Sequence, residues 1–146
     1  MDQTLYAILP QVLQNKKGDI ALSQVKDESP LIALYFSAHW CPPCRMFTPK
    51  LAEFYKTVNK DKKEIEVIFV SLDQNEDQFN EYYESMPWIT VPYESDNREL
   101  LSDTYGIQGI PALLVFKSNG KLIDKNGRNT IMSKQNGAID QWNSAK

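Results

Sequence analysis

Apolar positions fall into short blocks whose period switches between helix and strand along the chain. Leu5, Ile8, Leu9, Val12 and Leu13 recur at helical spacing and predict an amphipathic N-terminal helix ending near Lys17-Gly18, with Pro10 kinking it or stopping it early. Asp19 to Val25 alternates apolar and polar residues, which predicts a short exposed strand before a turn at Glu28-Ser29-Pro30. Leu31 to Phe36 (LIALYF) is a nearly unbroken apolar run, as expected of a strand covered on both faces in a partly parallel sheet. Phe47, Leu51, Phe54, Tyr55 and Val58 then form one helical stripe, with Pro49 inside it as a source of bending.

Glu66 to Leu72 (EVIFVSL) predicts a second buried strand, and Phe79, Tyr82, Tyr83 and Met86 a second helix before Pro87. Leu100, Leu101 and Tyr105 predict a short helix closed by Gly106. Ala112 to Phe116 (ALLVF) is a third strand, followed by the turn KSNGK and a return strand at Leu122-Ile123. From Asn136 onward, Ile139 and Trp142 suggest a last short helix. Strand, helix, strand, helix and hairpin together predict an α/β protein with a central mixed sheet flanked by helices, preceded by an N-terminal extension.

Composition narrows what such a domain does. A chain of 146 residues, 42% hydrophobic, suits a single domain over residues 1–146 with a real core. The net charge of −3 argues against nucleic acid or an anionic membrane as partner. The basic run NKDKK at 59–63 is broken by an acid and reads as a solvated turn. No segment approaches the ~20 apolar residues of a bilayer span, and the N-terminal segment lacks the cationic start of a leader. A cytoplasmic monomer is the expectation. In that compartment structural disulfides are uncommon, so the two cysteines, Cys41 and Cys44, call for another use.

They form Cys41-Pro42-Pro43-Cys44 at the junction of a predicted strand and a predicted helix, the context of a redox-active C-x-x-C. Cys41 falls at or just before the first helical turn, where Pro42 has a φ already suited to the helix. Free backbone N–H groups and the helix dipole there favour a thiolate, the form that attacks a disulfide. Arg45 adds a nearby cation. Cys44, three positions on, faces the same side of the turn and can resolve the mixed disulfide. The two prolines stiffen the loop and remove two competing donors. A structural disulfide is a poor alternative, because so short a loop removes little unfolded-state entropy. Zinc would need four ligands, and His39 is the only histidine, so no metal is expected. Two inert core thiols are the remaining alternative.

The segment YFSAHWCPPCRMFTPKLAEFY (35–55) resembles the active-site region of tryparedoxins and nucleoredoxins. VSLDQNEDQFNEYYESMPW (70–88) and YGIQGIPALLVF (105–116) are similar to further segments of the same branch, so the likeness covers most of the chain from about residue 18. The resemblance implies a thioredoxin fold and a thiol–disulfide oxidoreductase without a bound cofactor. It implies a thiol reductant (trypanothione, glutathione or a reductase) on one side and a disulfide-bearing protein, such as a peroxidase, on the other. It also implies a cis peptide before Pro111, packed against the dithiol, with Ile110 offering backbone groups to an extended substrate. Base rates alone would make that bond trans. Arg128 matches a position that tryparedoxins use near their thiol substrate; by itself it reads equally as a surface arginine. Tyr35 stands where the thioredoxins proper carry a buried acid.

Asp73, at the carboxyl end of the second strand, is the replacement candidate for moving a proton at Cys44; a turn or cap before the next helix is an equally good use of it. Trp40 either packs on the sheet or walls the substrate, and the two are compatible. His39 reads as an exposed modulator. Gln74 replaces a glutamate typical of tryparedoxins, which weakens the electrostatic case for trypanothione, a cationic polyamine conjugate. A redox-regulated binding module of the nucleoredoxin type is the alternative function, and a net oxidant or isomerase a third.

Overall fold

A computed structural model describes residues 4–145. Its organising element is β3 (Leu31–Ser37), in which all seven residues are buried. Side chains of a strand alternate between faces, and here both faces are roofed. Leu31, Ala33 and Tyr35 enter one core with Phe47, Leu51, Phe54 and Trp142, whereas Ile32, Leu34 and Phe36 enter a second with Leu5, Leu9, Val25 and Leu101. This is why the run LIALYF carries no polar position.

β3 pairs in parallel with β4 (Ile65–Ser71) and antiparallel with β6 (Ala112–Lys117). β4 continues in parallel to the two-residue β5 (Ile89–Thr90), and β6 turns back into β7 (Leu122–Asp124). The other edge is a hairpin of β1 (Val12–Asn15) and β2 (Gly18–Ala21), with β1 antiparallel to β5. The described residues thus form one mixed seven-stranded sheet in the order β2-β1-β5-β4-β3-β6-β7. The helices are α1 (Thr4–Ile8), α2 (Leu22–Glu28), α3 (Pro42–Val58), α4 (Glu76–Tyr83), α5 (Asn97–Thr104), α6 (Gly127–Lys134) and α7 (Ala138–Ser144).

Two sequence expectations at the N-terminus are corrected. The expected helix through Leu13 stops at Ile8, because a helix interior rejects Pro10; Val12 and Leu13 instead pair with β2. The strand expected over Asp19 to Val25 ends at Ala21 and α2 takes over. Leu22 and Val25, three apart, are its buried residues, so the helical period held there and the alternation was incidental. Pro49 lies inside an α3 that runs unbroken over 17 residues. α6 was invisible to pattern reading because only Gly127 and Ile131 of its eight residues are buried.

The start of α6 packs so closely on β6 that a Cβ at Gly127 would lie 2.9 Å from the Leu113 carbonyl oxygen. A Cβ at Gly137 meets nothing within 4 Å. Gly127→Ala should therefore lower unfolding free energy by about 1–3 kcal/mol, and Gly137→Ala should leave it unchanged or raise it by up to about 1 kcal/mol; urea unfolding of the two variants checks the pair.

Candidate active site

The chain leaves the sheet after Ser37, whose carbonyl accepts from the Leu72 N–H at 2.9 Å and so extends the β3–β4 pairing by one residue. Residues 38–41 then turn tightly, with the Cys41 N–H donating to the Ala38 carbonyl at 3.2 Å. Cys41 is the N-cap of α3, and Pro42 and Pro43 are its first helical residues. Proline costs nothing there, since first-turn N–H groups have no carbonyl partner in the helix. The next N–H, that of Cys44, donates to the Cys41 Sγ at 3.4 Å, so the sulfur itself caps the helix.

Both cysteines are free, and their settings differ. Cys41 is 5% exposed and Cys44 fully buried, in an apolar collar of Ala38, Leu72 and Ile110. Burial is the main cause that pushes the Cys44 thiol up to about 11, helped by its contact with the Cys41 thiol and opposed by the Ser37 hydroxyl and the Ala38 backbone. Cys44 is thus a neutral thiol at neutral pH. The Cys41 thiol lies 3.8 Å from the Ile110 carbonyl oxygen, and the Ile110–Pro111 peptide is cis. The N-terminus of α3 and the start of β6 therefore meet at this sulfur.

Trp40 is half exposed, its indole N–H donating to the Leu72 carbonyl at 3.0 Å, so the ring is held at one edge with a face to solvent. The Arg45 guanidinium donates to the His39 carbonyl at 3.2 Å and stiffens the turn. Arg128 has its guanidinium 5.9 Å from the Phe47 ring centre, and with Lys125 and Pro111 it lines a cleft of about 520 Å³. Gln74 is exposed.

Asp73 is buried and both its oxygens are engaged. One accepts from the His39 N–H at 2.6 Å, the other from the Ser71 hydroxyl at 2.6 Å. The Tyr93 hydroxyl donates to the Asp73 carbonyl at 3.3 Å, and Arg98 donates to the Ser71 carbonyl at 2.7 Å while stacking on Tyr93. The segment 71–73 is thereby fixed, and it straps the dithiol loop in place. These bonds engage both carboxylate oxygens, one with the loop backbone and one with the Ser71 side chain.

Under Cys44 lies a group of hydroxyls instead. Tyr35 is fully buried, with its hydroxyl 2.7 Å from Thr48 Oγ1, and desolvation drives its phenol far above the ordinary range. Thr48 Oγ1 lies 2.6 Å from the Tyr82 hydroxyl and donates to the Cys44 carbonyl at 2.9 Å. Tyr82 in turn sits 2.6 Å from Ser37 Oγ. Sequence reasoning passed over Ser37, Thr48 and Tyr82. Two carried a signal: Thr48 is one helical turn beyond Cys44, and Ser37 shares a strand face with Tyr35. Among the described residues, no group of three or more His, Cys, Asp or Glu side chains is placed to hold a metal ion.

Comparison with known proteins agrees with this geometry. A family model described as thioredoxin-like matches residues 29–122. Nucleoredoxin of Danio rerio is 40% identical over 116 residues, which cover 79% of this chain and 28% of that protein. The chain thus spans little more than a quarter of that relative's length. Tryparedoxin of Trypanosoma brucei brucei is 38% identical over 134 residues, covering 89% of this chain and 90% of that protein. A solved structure of tryparedoxin from Trypanosoma brucei superposes with a TM-score of 0.85 at 37% identity, covering 94% of this chain and 96% of that one. Tryparedoxin II complexed with glutathionylspermidine gives a TM-score of 0.82 at 33% identity, covering 91% and 94% of the two chains.

The unequal thiols make a direct prediction. With a small alkylating agent near neutral pH, peptide mass mapping of the folded, reduced protein should find Cys41 labelled and Cys44 protected. Labelling of Cys44 should rise only as pH approaches about 11, where the thiolate forms, or when the protein is unfolded.

Proposed function

The chain belongs to the thioredoxin-like family, on its tryparedoxin and nucleoredoxin branch, and we propose that it is a thiol–disulfide oxidoreductase acting through Cys41 and Cys44. The observation that carries this reading is the pairing of two unlike sulfurs in one helical turn, Cys41 capping the helix with 5% exposure and Cys44 sealed beneath it with none. Cys41 attacks a disulfide of the partner, forming a mixed disulfide and releasing one partner thiolate. Cys44 then attacks the Cys41 sulfur, which releases the second thiolate and leaves Cys41 and Cys44 oxidised. A reducing thiol reverses both steps. Trp40 and the cis Pro111 flank the approach to Cys41, and the Ile110 carbonyl supplies an acceptor for an extended substrate backbone.

The oxidised partner is a protein disulfide, for instance on a peroxidase. The reductant is a glutathione-type thiol: the cleft that reaches Pro111 carries Lys125 and Arg128, whose charges suit the carboxylates of such a peptide. Exposed Gln74, where the resemblance implies a glutamate, brings no carboxylate of the kind that a polyamine would favour. Asp73 serves the site as the residue that holds the His39 end of the loop.

A second reading, a redox-regulated binding module of the nucleoredoxin type, draws support from Trp40 and Met46, which are 49% and 71% exposed at this end of the molecule. Insulin reduction separates the two. The wild type should accelerate it with dithiothreitol or glutathione as reductant, and Cys41→Ser should fall to the uncatalysed rate. Cys44→Ser should accumulate a mixed disulfide through Cys41, visible by mass spectrometry. A wild type no faster than Cys41→Ser would reject the enzyme and favour the module.

A further inference from the structure

Resolution requires a proton to leave a buried thiol, and the groups that surround that thiol are hydroxyls. The Ser37 hydroxyl, from the last residue of β3, is among the groups that act on the Cys44 thiol, pulling its pKa down against burial. Its Oγ lies 2.6 Å from the Tyr82 hydroxyl, which lies 2.6 Å from Thr48 Oγ1. Tyr82 is only 4% exposed, but it borders solvent. With His39 and Thr48 it lines an open groove of about 750 Å³ between α3 and α4, and the His39 ring stacks on the Tyr82 ring at 5.4 Å. A row of buried hydroxyl oxygens thus runs from Ser37 to two side chains that line the groove, while the Asp73 carboxylate is occupied by the His39 N–H and Ser71.

We infer that Ser37 and Tyr82 form the proton path of the resolving thiol. The inference rests on the exchange chemistry proposed above. Cys44 gives its proton to Ser37 Oγ, Ser37 gives its own to the Tyr82 oxygen, and Tyr82 releases one to water in the groove. The electron pair left on Cys44 forms the bond to the Cys41 sulfur as the bond between Cys41 and the partner sulfur breaks. The partner leaves as a thiolate and takes a proton from water, so the mixed disulfide is the only oxidant consumed. The Ser37 hydroxyl, which opposes the upward push of burial on the Cys44 thiol, stabilises the thiolate before attack. Ser37 takes the proton of the reacting thiol and Tyr82 acts through it.

Burial holds the phenols of Tyr35 and Tyr82 above their ordinary range, so the path carries protons without holding charge. The titratable groups that face it are Cys41 and His39 from the loop, Tyr35 from β3, Arg45, Glu53 and Lys56 from α3, and Glu81 from α4. Asp73 meets the loop at the His39 N–H.

A chromogenic aryl disulfide reads the two steps in one trace: the first equivalent of coloured thiolate reports attack by Cys41, the second reports resolution by Cys44. Followed across pH, Ser37→Ala and Tyr82→Phe should slow the second release about tenfold or more near neutrality and move its pH midpoint upward. The first release should keep its rate, which also shows that the variant is folded. Ser37→Thr, which keeps a hydroxyl, should restore the second release. Tyr55→Phe removes a different buried phenol, bonded to Glu66 at 2.8 Å, and should change neither phase. A wild-type second phase and midpoint in both Ser37→Ala and Tyr82→Phe would overturn the path. So would a shift produced by Asp73→Asn in place of Tyr82→Phe. Absence of the first release from the wild type itself would instead reject the exchange chemistry.

Discussion

Leu31–Ser37 is buried along its whole length between two helical layers, and the site hangs from its carboxyl end. A strand covered on both faces cannot slide by one residue without exchanging the two cores. Tyr35 is therefore held toward α3 and Phe36 away from it, and Ser37 is delivered to the same side as Tyr35. Fully burying one such large side chain is worth roughly 1.5–3 kcal/mol, so the several that line this strand make its register the most strongly specified feature of the molecule. The dithiol is placed to within a turn of backbone by a strand that contains neither cysteine.

From that anchor, the two sulfurs diverge through their positions in one helix. Cys41 precedes the first turn and accepts the N–H of Cys44, while Cys44 faces inward beneath it and loses its water. The same three-residue spacing that makes them partners makes them chemically unlike. Pro42 and Pro43 permit the arrangement because they bring no N–H groups to a place where helices cannot satisfy them. The loop before them needs outside support, and Asp73, Trp40 and Arg45 give it, each bonding to backbone of the loop or of the neighbouring strand end.

A buried carboxylate and a cluster of hydroxyls solve the proton problem of a sealed thiol differently. A carboxylate takes the proton and changes charge in a medium that penalises charge. Hydroxyls both donate and accept, so a row of them passes a proton on and returns to neutrality. Ser37, Thr48, Tyr35 and Tyr82 are mutually satisfied within 2.6–2.7 Å contacts, and the pair Thr48 and Tyr82 also borders the surface groove. The apolar surroundings that raise Cys44 also keep these phenols protonated.

Much of this was legible in the chain itself. The unbroken run LIALYF, the helical stripe from Phe47 to Val58 and the C-x-x-C between them specify a buried strand, a covering helix and a dithiol at their junction, because each rests on local periodicity and spacing. The likeness around 35–55 and 105–116 added the branch of the family and the cis bond before Pro111. Short elements escaped: α6 buries only two of its eight residues, α2 lies in a run whose incidental alternation reads as strand, and the helix expected through Leu13 met Pro10. The roles around Cys44 were beyond local pattern. In sequence Asp73 reads equally as a proton-moving acid and as a turn or cap residue, and only the folded chain brings the His39 N–H and the Ser71 hydroxyl to its oxygens. Ser37 and Thr48 straddle the dithiol, but Tyr82 is 45 residues from Ser37, and it is the β3–β4 crossover followed by α4 that sets its hydroxyl between theirs. Chemistry that depends on one side chain per turn is written along the chain; chemistry shared among hydroxyls from two helices and a strand exists only once the sheet has brought them together.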